Sequence, residues 1–151
     1  MLDDIARRLD ALEASRGQLV RIGKVVARDA SRGAVSVQFP DADGLVSQSL
    51  PVMYAKTHKD KVFFLPDIGE QVVCIFLGNG LEMGVVIGAL YSGPDPVPVA
   101  SGDKYHVSFS DGATFEYDRA THDLNISIPG NVNVTAGANV TINGQRIDLN
   151  P

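Results

Sequence analysis

The chain has 151 residues, 44% of them hydrophobic, with 13 basic residues against 18 acidic ones and a net charge of −5. That balance argues against binding through nucleic-acid phosphates, which needs clustered Lys and Arg, and disfavours an anionic membrane surface as the main partner. A single cysteine, Cys74, excludes a disulfide framework within the chain.

The opening "MLDDIARRLD" is acidic and lacks an apolar h-region, so it does not read as a signal peptide. No apolar run approaches the roughly 20 residues needed to span a bilayer. A soluble protein made in the cytosol is expected. Leu2, Ile5, Leu9 and Leu12 follow one another at steps of three, four and three, which predicts a short helix over 1–16 with one apolar stripe. Such a helix is marginal alone in water. Its stripe is therefore expected to associate with the body of the protein or with copies of itself.

Residues 17–92 change to strand patterning. "VRIGKVVARDA" and "AVSVQFP" flank the turn-like "SRG", a long loop runs from Pro40 to about Lys61, and "PDIGE" and "GNG" punctuate the strands "QVVCIFL" and "MGVVIGAL". About five strands without an intervening helix pattern suggest a small closed barrel, best matched by the five-stranded OB type. Cys74, inside "VVCIFL", reads as a buried small apolar residue. "SGPDPVPVASGD", with three prolines and no periodicity, marks a linker at 93–103. A β-hairpin neck is expected over 104–123, turning at "SDG", with "DRATHD" as a second turn.

The remainder, 124–151, carries the most informative pattern. Even positions from 124 to 142 read Leu, Ile, Ile, Gly, Val, Val, Ala, Ala, Val, Ile; the odd positions from 125 to 143 are polar, Pro or Gly, and none is charged. This is a strand period of two held without a break. It also repeats weakly at eight residues, with Val132 and Val134 recurring as Val140 and Ile142. After Gly144 the phase slips, because Ile147 and Leu149 fall on odd positions, so a bend is expected there. The strip is too long to leave in water and too short for a one-chain solenoid. Exposed uncharged edges would invite aggregation. The expected solution is several copies wrapped together; the alternative, an ordinary C-terminal hairpin added to the chain's own barrel, fits less well with the proline linker and the length of the alternation. Three chains would make a prism with Ile126, Ile128, Val132, Val134, Ala136, Val140 and Ile142 inside and the Asn and Thr rows outside. The fold class expected is thus all-β: a short N-terminal helix, a five-stranded OB-fold barrel, and a C-terminal intertwined trimeric triple-stranded β-helix.

Three segments, "VRIGKVVARD", "LPDIGEQVVCIFLGNGLEMGVVIGALYS" and "FSDGATFEYDRATHDLNI", resemble in this order the phage baseplate assembly protein V family, the central spike of contractile tails, with relatives in R-type pyocins and type VI secretion. The resemblance covers about half the chain. It implies a homotrimer whose OB-fold collar attaches to the baseplate hub and whose β-helical needle is driven through a bacterial outer membrane on sheath contraction. It implies a tail baseplate of a virion or injection particle as location, and mechanical work rather than catalysis, without a cofactor. Many phage members end in a His-x-His apex that binds iron. Here the last histidine is His122, so no metal site is carried over, and His58, His106 and His122 read as solvated surface residues. Ile147 and Leu149 are expected to contact a separate tip protein resembling the PAAR-repeat cones of related systems.

Two other functions compete. A nucleic-acid-binding OB module would use Phe63 and Phe64 beside Lys59 and Lys61, but it sits poorly in an acidic chain. A trimeric adhesin or fibre shaft would suit the tail, yet no globular head follows it. An enzyme is not expected. There is no His/Asp/Ser constellation, no CxxC and no phosphate loop; "DADG", at 41–44, lacks the full ligand pattern of a Ca²⁺ loop. Asp41, Asp43, Asp67 and Glu70 read as loop carboxylates that keep the surface soluble.

Overall fold

The computed structural model describes residues 2–16, 19–77 and 83–149, without the side chains of 2 and 11–16. The "GNG" turn and the side chains of Leu2 and Leu12 thus lie outside the described residues. The chain divides into two compact units, Met1–Pro96 and Val97–Pro151.

In the first unit, helix α1 spans Leu2–Arg16, and Asp3 and Asp4 in its first turn complement the positive end of the helix dipole. Ile5 and Leu9, four residues apart and so on one face, both remain exposed. Six strands follow among the described residues: β1 (Val20–Asp29), β2 (Ala34–Phe39), β3 (Leu45–Val46), β4 (Leu50–Pro51), β5 (Gln71–Phe76) and β6 (Gly84–Ala89). They hydrogen-bond in the order β3-β2-β1-β5-β6, with β4 also on β2. Residues 50–53 return the sheet to its other edge: Val52 bridges Val86 in parallel, and Met53 N–H donates to Val86 O at 2.8 Å. This closes the barrel.

The strand expectation needs one correction. The segment from Pro40 to Lys61 is not all loop, because it contains β3 and β4. Each is two residues long, too short to show a period. A 3₁₀ turn at Pro40–Ala42, followed by Asp43 and Gly44 at φ 52° and 75°, reverses the chain onto β2. Ser47 then fixes it: the buried Oγ accepts Val37 N–H at 3.0 Å and donates to Gln48 O at 2.7 Å.

The barrel interior comes from alternate positions of long strands. Val35, Val37 and Phe39 of β2, Val72, Cys74 and Phe76 of β5, Val25 of β1, Val86 of β6, and Leu50 and Leu65 form one buried cluster. Each such side chain contributes about 1.5–3 kcal/mol by leaving water. The Phe39 and Phe76 rings meet edge to face at 5.6 Å. The expected "PDIGE" turn is tied to β1 where its register with β2 shifts, between Val25 and Ala27. Gly69 N–H donates to Val25 O at 2.8 Å, and Val25 N–H to Glu70 O at 3.0 Å. Asp67 accepts from Arg28, and Asp67 N–H is capped by Glu70 Oε2. Two of the loop carboxylates therefore hold a turn as well as solvate it.

The second unit corrects a boundary. The hairpin expected over 104–123 is a three-stranded antiparallel sheet of β7 (Lys104–Ser108), β8 (Thr114–Asp118) and β9 (Asp123–Ser127). The turn between β8 and β9 is held by Asp118 Oδ1, which accepts Ala120 N–H at 2.8 Å, with His122 at φ 65°. β9 takes Leu124 and Ile126 from the stretch expected as spike. Pro129, which has no N–H to give a ladder, follows the end of β9. From 128 to 149 the chain forms no strand with itself.

Candidate assembly surface

The register of the second unit sorts its side chains completely. On one face Tyr105 opposes Tyr117 and Val107 opposes Phe115, while Phe115 and Tyr117 oppose Ile126 and Leu124 of β9. On the other, Lys104 opposes Asp118, His106 opposes Glu116, and Glu116 and Asp118 oppose Asn125 and Asp123.

Four residues of the polar face engage one another. Lys104 Nζ reaches Glu116 Oε1 at 2.8 Å and Asp118 Oδ2 at 3.7 Å, and His106 Nδ1 lies 2.8 Å from Glu116 Oε2. Hydrogen bonds from Lys104 and then His106 hold the Glu116 carboxyl below its ordinary range; the bond to Glu116 raises Lys104. Asp118 is lowered mainly by the Ala120 backbone N–H. This corrects the reading of His106 as a solvated residue: its side chain is 15% exposed, because it sits between neighbours of the same face. His58 and His122 are exposed.

The apolar face is the exposed one. Tyr105, Phe115, Tyr117, Leu124 and Ile126 all carry substantial solvent-facing area, with Phe115 and Leu124 at 43% and 64%. The same holds along the tail, where Val132, Val134, Val140 and Ile142 are exposed, Val134 at 74%. Ala136 is exposed and Ile128 half-buried. Ile147 and Leu149 are exposed beyond them, past a bend at Gln145. Among the described residues the stripe is thus largely uncovered in one chain.

Sequence reasoning singled out the tail residues but missed Tyr105, Phe115 and Tyr117. Their signal was the period of two in "KYHVS" and "TFEYD". In the first unit it also missed Val20 and Ile22 on the outer side of β1, exposed although the strand's inner side builds the core. Phe63 and Phe64 are exposed as a stacking surface would require, and the Phe63 ring lies 5.6 Å from that of Tyr54, tilted by 30°. Among the described residues no helix is long and apolar enough to cross a membrane.

Residues 21–91, the closed barrel, match the Type VI secretion system/phage-baseplate injector OB domain. Over 123 residues the chain is 32% identical to the spike protein of Escherichia phage P2, covering 82% of this chain and 57% of that protein. The chain belongs to the phage baseplate V family. This baseplate V chain spans just over half the length of the curated relative it matches. The aligned length exceeds the barrel, so the likeness to the spike protein takes in residues outside the injector domain as well.

Proposed function

We propose that the chain is a structural tail-spike subunit of a contractile injection system, working as a homotrimer in the tail baseplate. The observation that carries this reading is the uncharged stripe from Leu124 to Ile142. Among the described residues its apolar side chains are exposed in one chain, Ile128 being half-buried, and residues 128–149 form no strand. Three copies would bury the even positions and pair the free edges. If straight, the stripe would span about 60 Å at ~3.3 Å per residue. A narrow needle of that kind suits piercing an outer membrane when a sheath contracts. The barrel is the part that attaches to the hub, as its likeness to baseplate injector domains supports. Ile5 and Leu9, with Leu2 and Leu12, supply an apolar stripe for helix association. Ile147 and Leu149 supply an apolar contact for a PAAR-like tip protein.

The test is the mass and shape in solution. The reading expects a species of three 16.1 kDa chains with a collar and a needle. A monomer at micromolar concentration would overturn it.

A further inference from the structure

We infer that the sheet β7-β8-β9 is the register clamp of the assembly: its apolar face packs against the same face of a second copy and fixes how the tails are aligned. This rests on the trimer reading above and adds a separate function to one part of it.

The need for a clamp follows from the tail itself. Its period is two, so any even slip between copies keeps every apolar residue inward. A slip of eight even matches like with like, since Val132 and Val134 then stand where Val140 and Ile142 stood. A flat uncharged pattern of this kind specifies its register weakly. No ion pair within 128–143 can correct a slip, because that stretch has no charged residue.

The sheet just upstream has what the tail lacks. Tyr105, Phe115 and Tyr117 put three large rings at unequal positions on one face, so a shifted copy would set rings against Val107 or Ile126. The occupant is a second copy for two reasons. First, the face runs without a phase break into the tail stripe: Tyr117 and Phe115 oppose Leu124 and Ile126, and these two begin the even series that continues to Ile142. Second, the area is of the right size. Three aromatic side chains bury about 450–750 Å² in total. Roughly half of it is still exposed, and with Leu124, Ile126 and the tail the surface approaches the ~800 Å² per partner of a specific interface. The opposite face is unsuited, since Lys104, His106, Glu116 and Asp118 are engaged with one another.

The experiment uses the full chain with a cysteine reporter, Ala136→Cys, in the middle of the stripe; the native Cys74 is buried and does not interfere. Aligned copies bring the three reporters together, so mild oxidation should give efficient cross-linking between identical positions. Adding Phe115→Ser and Tyr117→Ser should lower the yield at least about fivefold. Tyr105→Ser alone, at the most exposed ring of the face, should lower it in the same direction without endangering the fold. Undiminished cross-linking in both neck variants overturns the clamp and leaves the trimer standing. A reporter chain that stays monomeric with its neck intact overturns the trimer reading, and the clamp with it.

Discussion

Gly84 lies against the ring of Phe76: a Cβ on Gly84 would come within 2.6 Å of Phe76 Cδ1 and 2.9 Å of Ile75 O. The two residues oppose each other across β5 and β6, and the missing side chain lets the Phe76 ring fill the barrel interior. Gly84→Ala should therefore destabilise the first unit by about 1–3 kcal/mol, the usual cost of overpacking, seen as a fall of several degrees in its melting temperature. Gly88→Ala, where nothing lies within 4 Å, is the control and should melt close to wild type. Equal effects would show that crowding at Phe76 is not the cause.

Cys74 is fully buried, and desolvation pushes its thiol up to about 11. The thiolate is the reactive form, so a thiol reagent at pH 8 should react only as fast as the barrel opens. The rate should become independent of reagent concentration at high excess. Fast labelling proportional to reagent would mean that the thiol is accessible in the folded barrel.

The ion cluster of the second unit predicts an acid limb. Glu116 and Asp118 titrate below their ordinary values when folded. Their contribution is thus present above the unfolded carboxylate range and is lost as pH falls through the depressed folded values. Amide protection in β7 and β8, measured against the exchange of an unfolded chain at the same pH, should be high at neutral pH and fall below about pH 4. Glu116→Gln should weaken the sheet at neutral pH and flatten that limb, and a limb of unchanged slope would assign it elsewhere.

Val134→Asp separates one chain from the assembly. In a single chain the side chain is largely exposed, so the substitution should leave the barrel's melting unchanged. In the trimer it would bring three carboxylates together in a dry core, at a cost of several kcal/mol per ion. Loss of the trimer with an intact barrel is expected. A trimer of unchanged mass and melting temperature would place Val134 on the outside.

How far the sequence was legible depended on the length of each pattern. "PDIGE" and "SDG" announce their turns because Gly69 and Gly112 need φ of 95° and 89°, which few residues other than Gly adopt. β3 and β4 were invisible because two residues carry no period; their placement depends on Ser47 and on pairing with β2, both non-local. The boundary at β9 was hidden for the opposite reason. Leu124 and Ile126 continue the tail's phase without a break, so nothing local says that they pair with β8. The stripe from 124 to 142 was read in full, but only exposed area in three dimensions tied Tyr105, Phe115 and Tyr117 to it. The half-buried state of His106 was not legible because its partner, Glu116, lies ten residues away.

The linker has a consequence of its own. Pro94, Pro96 and Pro98 remove three N–H groups from five consecutive positions, and Ser92 and Asp95 bond their backbones to each other. Such a stretch cannot extend a ladder or be recruited onto a sheet edge. If the tails pair as proposed, this stretch insulates the barrel: cross-chain pairing that starts in the tail would stop before the barrel's edge strands, so misaligned tails could unzip and re-form without opening the barrel.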